Sequence, residues 1–177
     1  MWTAKMSNPF VVKGDTIRSE REYTVKASEN FRKGELIRID VTGKVQKAAN
    51  TTALAAGAVH GIAGADASEY LSGGAYAGQT IPVLLFSVNT VVAIQMAAAK
   101  DHDDYVVGQS YTLDRSTVDA AGMYWWTLTD TTAAGVAQIE SKPSADQWFD
   151  PSVAATVATA PIHVRFTQAM LDTRSAT

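Results

Sequence analysis

The sequence predicts an all-β fold: an antiparallel β-barrel or β-sandwich, jelly-roll-like or β-tulip-like, with an extended N-terminal arm. Apolar and polar residues alternate with a period of about two, and Gly, Asn and Asp residues interrupt these runs at short intervals. No window carries an apolar stripe of helical period long enough for a substantial helix. Because the predicted strands follow one another at short, regular spacing, a barrel or sandwich is favoured over a βαβ fold.

The clearest predicted element is a β-hairpin over residues 35–48. Ile37, Ile39 and Val41 fall on one face of its first strand, because successive side chains of a strand point to opposite faces. Gly43 supplies the positive φ that a tight hairpin turn requires.

Further strands are predicted along the rest of the chain. Their ranges are 58–63, 80–87, 90–96, 109–113, 123–129, 136–141 and 161–166. The runs 80–87 and 90–96 are almost continuously apolar, which predicts central strands covered on both faces. Pro82 has no backbone N–H to donate, so its strand is expected to have at least one free edge position.

The chain length predicts one domain. Residues 1–22 mix apolar side chains with charges and are expected to form an arm that docks on another surface. Residues 23–170 are expected to form the single β-barrel or β-sandwich domain, and residues 171–177 a polar tail.

Composition narrows the class of protein. The chain has no cysteine, and its size allows it to bury about 70% of its unfolded surface, so neither disulfides nor a structural metal is needed for folding. The longest apolar run, near residues 91–99, is broken by Gln95 and is too short to span a bilayer. We expect no signal peptide and no membrane contact.

Charge is unevenly distributed. Residues 1–50 hold ten Lys and Arg against six Asp and Glu, whereas the remainder holds five against twelve. The basic residues alternate with acidic ones, so a dense basic patch for nucleic acid is not expected. Two interpretations stay open: a solvated surface of mixed charge, or complementarity to an acidic protein partner.

No catalytic or metal-binding motif is found, so the chain is not expected to be an enzyme or to carry a cofactor. Asp101, His102, Asp103 and Asp104 form an acidic turn, but an EF-hand loop that began there would lack its Gly and its final Glu. The other histidines, His60 and His163, lie in predicted strands, where a hydrogen-bonded structural role is expected. No G-x-S-x-G elbow is present.

An aromatic run at Tyr124, Trp125 and Trp126 could serve as a stacking platform for a sugar or a base. Strand alternation sends Trp125 and Trp126 to opposite faces, which halves any such platform. The pattern favours one core residue and one that packs against a neighbour.

The predicted hairpin and the sequence after it resemble the capsid decoration (cement) proteins of tailed bacteriophages. The resemblance is carried by Phe31–Ile37, Val41–Ala48, Val59–Ala67 with its V-x-G-[IV]-A pattern, and Ile81–Phe86. It covers roughly residues 30–95, with weaker agreement at 107–111 and 164–166.

This resemblance implies a structural virion protein, made in the bacterial cytoplasm. Such a protein binds the outer surface of an icosahedral capsid where subunits meet and stabilises the expanded shell. Its partners would be the major capsid protein and its own copies, as a homotrimer. The alternative is a head-fibre or tail adhesin that presents Tyr70, Tyr76, Trp125 or Trp148 to a host glycan.

Six residues are candidates for capsid contact. We infer them from residue type and position, because the resemblance itself carries over no capsid-contacting residue. The two aromatic residues would enter grooves or accompany an added strand, and the four cations would supply electrostatic complementarity. The candidates are Trp2, Phe10, Arg18, Arg21, Arg32 and Lys33.

Overall fold

The computed structural model describes residues 9–14, 16–48, 59–67, 78–97, 100, 102–115, 126–132, 135–143, 161–167 and 171. These residues form β-strands and one short 3-10 helix at His102–Asp104, so the predicted all-β class is confirmed. The strands are β1 (Phe10–Lys13), β2 (Thr16–Thr24), β3 (Leu36–Ile39), β4 (Val45–Lys47), β5 (Gly61–Ala63), β6 (Thr80–Phe86), β7 (Val91–Met96), β8 (Ser110–Tyr111), β9 (Leu113–Arg115), β10 (Trp126–Leu128), β11 (Ala137–Ser141) and β12 (Ile162–Phe166). In this part of the chain, no helix has the length and apolar character needed to cross a bilayer.

The chain divides into two compact units that are interleaved in sequence. The first unit comprises residues 1–13, 50–53 and 91–165, and the second comprises residues 14–49, 54–90 and 166–177. The domain boundaries inferred from the sequence stay predictions. Within the predicted arm, residues 10–13 and 16–22 are strand residues, while residues 1–8 lie outside the described ranges.

The first unit contains a nearly closed, barrel-like sheet in the order β8-β11-β12-β7-β10-β9. Only Thr112 separates β8 from β9, so one stretch of chain links the two ends of this order. The β7–β10 pairing is parallel, with Thr127 opposite Gln95, whereas β12 pairs antiparallel with β7. Strand β1 adds to β7 on the edge that β10 also uses, with Lys13 opposite Val91.

Strand β7 is buried on both faces, as its almost continuous apolar sequence predicts. Val91, Val92, Ala93 and Ile94 are each 0% exposed. The same prediction for β6 is wrong at its start, because Thr80 is exposed and so is Pro82. That strand belongs to a sheet with one core face, so the side chains near its start alternate between core and solvent.

Tyr105 and Lys142 hold the loop that follows the 3-10 helix in the first unit. The Tyr105 hydroxyl donates to the Leu128 carbonyl at 2.6 Å, and burial raises the pKa of Tyr105 to about 12. The Lys142 ammonium donates to the carbonyls of His102 at 2.8 Å and Tyr105 at 2.9 Å. These bonds fix the start of the segment that continues into β8.

The second unit contains an antiparallel sheet in the order β2-β6-β5-β3-β4. Its hairpin, β3–β4, falls within the predicted range and pairs Ile37 with Lys47 and Ile39 with Val45. The buried residues of its core cluster are Val25, Phe31, Ile37, Val45, Ala63, Ala67, Ile81 and Val83. This core lies on the face that carries the odd-numbered residues of β3 and β6.

Pro82 lies inside β6, a strand that is paired on both sides. Gly64 N–H donates to the Pro82 carbonyl at 2.9 Å, and β5 ends one residue earlier, at Ala63. The donor that Pro82 lacks therefore falls where the β5 ladder stops. The free position that proline predicts is a ladder end, not the outer edge of the sheet.

Candidate functional site

The structure places three of the candidate capsid-contact residues on the first two strands. Phe10 lies in β1, Arg18 lies in β2 opposite Leu84, and Arg21 lies in the irregular step of β2 that precedes Glu22. Only the backbone is described at these three positions, and Trp2 lies outside the described residues. Their role in capsid contact stays a prediction.

The remaining two candidates, Arg32 and Lys33, lie together on a tight turn before β3, here called the 32–35 turn. Arg32 N–H donates to a carboxylate oxygen of Glu35 at 2.9 Å, and this glutamate is only 1% exposed. Lys33 N–H donates to Asp66 Oδ1 at 2.7 Å. Gly34 has a φ of +91°, a conformation that glycine adopts without strain.

The 32–35 turn presents its two cations differently. Lys33 is exposed, whereas Arg32 is half-buried. Two carboxylates accept hydrogen bonds from the backbone of the turn, which is locally mixed in charge. The contribution of Asp66 could not be seen in the sequence, because 33 residues separate it from Lys33.

The turn of the β3–β4 hairpin, residues 40–44, is a second rigid and exposed feature, here called the hairpin tip. Asp40 Oδ1 accepts hydrogen bonds from Thr42 N at 2.9 Å, Thr42 Oγ1 at 2.6 Å and Lys44 N at 3.0 Å. Gly43 adopts a φ of +76°, which confirms the predicted positive φ. Val41 at the tip is 70% exposed.

The carboxyl group of Asp40 has a lowered pKa. Burial raises it, but the hydrogen bonds from Thr42 and Lys44, together with the charge of Lys26, outweigh the burial. Lys26 Nζ lies 3.6 Å from the second oxygen of Asp40. The hydrogen bonds that define the hairpin tip therefore favour the ionised form of the Asp40 carboxyl group.

We expect Asp40→Ala to lower the free energy of unfolding by about 1–2 kcal/mol, because three donors lose their acceptor. Asp40→Asn keeps one acceptor oxygen and should lose less. The wild-type pKa is lowered on folding, so its stabilising contribution is present above the unfolded value and is lost as the pH falls through the folded value. Urea denaturation between neutral pH and about pH 3 gives the free energy of unfolding at each pH. This free energy should fall less steeply towards acid pH in Asp40→Asn than in the wild type, and equal slopes would contradict this.

The His60 side chain accepts a hydrogen bond from the backbone in the second unit. Its ring Nδ1 accepts the Ile39 N–H at 2.8 Å, and its backbone N–H donates to the Ile37 carbonyl at 2.8 Å. His60 is 4% exposed. Because β5 begins only at Gly61, the imidazole supplies the acceptor that a longer strand would have offered to Ile39. The hydrogen-bonded structural role expected for His60 is confirmed.

His163 lies on β12 beside a cluster of charges in the first unit. Its Nδ1 is 3.1 Å from Ser141 Oγ. Glu140 Oε1 contacts Arg165 Nη2 at 2.5 Å and Lys13 Nζ at 3.7 Å. Burial and the charge of Lys13 lower the pKa of His163, and Glu140 opposes this shift.

This arrangement predicts a pH dependence. The folded pKa of His163 lies below its unfolded value, so the unfolded chain binds the proton more readily. Stability should therefore fall as the pH drops below about 6.5, and His163→Gln should remove that part of the slope. Chemical denaturation between about pH 7.5 and 5 measures both curves. Equal slopes for the variant and the wild type would contradict the assignment.

The acidic turn and the aromatic run are only partly described. His102, Asp103 and Asp104 form the 3-10 helix, and Asp101 lies outside the description. Among the described side chains, no group of three or more His, Asp or Glu could hold a metal ion. Trp126 is a core residue at 1% exposure, as the strand pattern favoured for one of the two tryptophans.

A shallow depression of about 600 Å³ lies beside β8 in the first unit. It is lined by Val106, Val107, Gly108, Gln109, Ser110 and Thr132. Val106 and Val107 are 57% and 54% exposed. Hydrogen bonds to neighbouring elements hold its rim, including Val106 N to the Tyr111 hydroxyl at 2.8 Å and Gln138 Nε2 to the Gly108 carbonyl at 2.8 Å.

The described residues thus offer three hydrogen-bonded features with exposed side chains: the 32–35 turn at Lys33, the hairpin tip and the depression. Main-chain or side-chain hydrogen bonds hold each of them. The depression presents two exposed valines beside polar, uncharged groups. The side chains proposed for glycan binding, Tyr70, Tyr76, Trp125 and Trp148, lie outside the described residues. Comparison with models of known protein families found no match, and neither did comparisons with curated proteins and with solved structures.

Proposed function

We propose that this chain is a structural virion protein that binds the outer surface of an icosahedral phage capsid at subunit junctions and stabilises the expanded shell. Its partners are the major capsid protein and further copies of itself, assembled as a trimer. The proposal rests on the sequence resemblance and on how the residues that carry the resemblance are arranged.

One observation supports the proposal most directly. The four sequence stretches that carry the resemblance all belong to the second unit, and their strands are neighbours in its single sheet. They also supply Phe31, Ile37, Val45, Ala63 and Val83 to one core. The residues that carry the resemblance therefore pack together in one folding unit. This is expected if the resemblance reflects a shared architecture.

The proposed mechanism is bridging. A protein that binds only the expanded shell stabilises that state by mass action, by a free energy that grows with the logarithm of its concentration relative to its Kd. Several weak contacts from one trimer add through effective concentration. A contact feature whose backbone is already hydrogen-bonded, such as the 32–35 turn, loses less conformational entropy on binding, which favours affinity.

Co-sedimentation tests this function. The purified protein is mixed with procapsids and with expanded shells assembled from the capsid protein of the same phage, and bound copies are counted in each pellet. We expect saturable binding to expanded shells and little to procapsids. Absence of binding to both, combined with retention on a glycan array, would overturn the proposal and favour the adhesin alternative.

Lys33 offers a mutational test of the electrostatic part of the proposal. Lys33→Ala should raise the Kd for expanded shells by about two- to fivefold and weaken its salt dependence, because an exposed ion pair contributes up to about 1 kcal/mol. Lys44→Ala is the matched control, since Lys44 is also an exposed lysine of the second unit but is not among the six candidate contact residues. Equal Kd values for the two variants would remove the 32–35 turn from the contact.

A further inference from the structure

Glu29, Asn30 and Lys47 lie together at the edge of the second unit's core and are here called the 29–47 cluster. Lys47 Nζ donates a hydrogen bond to Asn30 Oδ1 at 3.3 Å, and the backbone N–H of Lys47 donates to Glu29 Oε2 at 3.0 Å. All three residues are half-buried. An amine, a carboxamide and a carboxylate therefore meet at one place, although 17 positions separate Asn30 from Lys47 in the chain.

The 29–47 cluster lies beside apolar core residues. Lys47 is directly opposite Ile37 in the β3–β4 ladder, so its side chain shares the core face of the sheet. Ile37 is 0% exposed, and so is Phe31, which follows Asn30 in the chain. Both belong to the core cluster of this unit. Restricted access of water favours a reaction between two protein groups over hydrolysis of the carboxamide.

We propose that the 29–47 cluster is a self-modification site at which Lys47 and Asn30 form an isopeptide bond. Lys47 Nζ loses a proton and attacks Asn30 Cγ as a neutral amine, the new bond from Nζ to Cγ forms, and the bond from Cγ to Nδ2 breaks. Glu29 accepts the protons that Nζ gives up and delivers them to the departing nitrogen. The lysine ammonium group and the carboxamide thus become one secondary amide and one ammonium ion, so atoms and charge balance.

The reaction needs no oxidant and no further reactant. The hydrogen bond between Lys47 Nζ and Asn30 Oδ1 holds the two reacting groups close together, which makes the step effectively unimolecular. The bond ties the segment before the 32–35 turn to β4 in a chain that has no cysteine. It restricts the unfolded chain as a disulfide does. This inference goes beyond the proposed function and does not depend on it.

A second contact between a lysine and a carboxamide in the same unit lacks these features. Lys26 Nζ donates to Gln46 Oε1 at 3.1 Å and lies 3.6 Å from Asp40 Oδ2. Lys26 is exposed, and hydrogen bonds at the hairpin tip favour the ionised form of Asp40. An ionised carboxylate beside a solvated lysine stabilises the ammonium form, which cannot attack a carbonyl carbon. We therefore expect Lys26 to stay unmodified.

The mass of the intact protein tests the proposal. The full chain is purified, incubated at neutral pH and measured by mass spectrometry under denaturing conditions, and we expect a mass lower than that of its sequence by one ammonia. Trypsin should then release a branched peptide that joins residues 27–32 to the peptide beginning at residue 45, with cleavage after Lys26 retained and cleavage after Lys47 lost. A mass equal to that of the sequence, or loss of ammonia without this branch, would overturn the proposal.

Substitutions separate the chemistry from the packing of the cluster. Glu29→Gln keeps a side-chain oxygen that can accept the Lys47 N–H but cannot carry a proton, so the crosslinked fraction should fall at least about tenfold. Lys47→Arg keeps the positive charge and should give no crosslink. Lys26→Arg is the matched control and should crosslink as the wild type does. Circular dichroism verifies that each variant is folded, and full crosslinking in Glu29→Gln would overturn the role assigned to Glu29.

Discussion

Gly61→Ala is expected to unfold the second unit or to lower its free energy of unfolding by more than about 3 kcal/mol. A Cβ atom at this position would lie 2.1 Å from the Leu84 carbonyl oxygen and 2.9 Å from its carbon. These are backbone atoms of the neighbouring strand β6, so no side-chain rotation relieves the clash. Urea denaturation followed by circular dichroism measures the loss.

Gly43→Ala is the matched control for this prediction. No atom lies within 4 Å of the Cβ that would be added there, but the residue has a φ of +76°. The expected loss is about 1 kcal/mol, which arises from backbone conformation alone. A Gly61→Ala variant no less stable than Gly43→Ala would contradict the close approach of β5 and β6.

His60→Leu is expected to lower the free energy of unfolding by about 2–3 kcal/mol, although leucine is similar in size and more apolar. The reason is the Ile39 N–H, which loses its acceptor while the site stays closed to water. The same chemical denaturation experiment gives the difference, and the slope of the transition reports whether unfolding stays cooperative.

His60→Asn separates hydrogen bonding from packing. The asparagine Oδ1 can occupy nearly the position of the imidazole Nδ1 and accept the same N–H. We therefore expect His60→Asn to retain at least half of the stability that His60→Leu loses. Equal losses in the two variants would show that the ring acts by filling space and not as a backbone acceptor.

Local patterns predict a substantial part of this fold. The hairpin β3–β4 and the doubly buried strand β7 follow from apolar patterning and a turn glycine, which depend only on neighbouring residues. The sequence shows that Pro82 has no backbone N–H to donate to a neighbouring strand. That this position falls at the end of a ladder depends on where β5 ends. That boundary is set by pairing between distant segments.

Contacts between residues that are distant in the sequence could not be predicted from local patterns. His60 serves Ile39 across 21 residues, and Lys142 reaches the His102 carbonyl across 40 residues. Neither contact produces a periodic pattern of residues in the sequence. Arg32 and Lys33 could be identified as candidates from their charge. Asp66, whose carboxylate accepts the Lys33 N–H, could not be identified from the sequence.

Counting copies of this protein per major capsid subunit in fractions of a phage lysate tests the proposed capsid function most directly. Procapsids, expanded heads and tails are separated, and copies are measured by quantitative mass spectrometry against labelled standards. We expect near-stoichiometric copies on expanded heads and none on procapsids. A few copies per particle, or copies confined to tails, would contradict it.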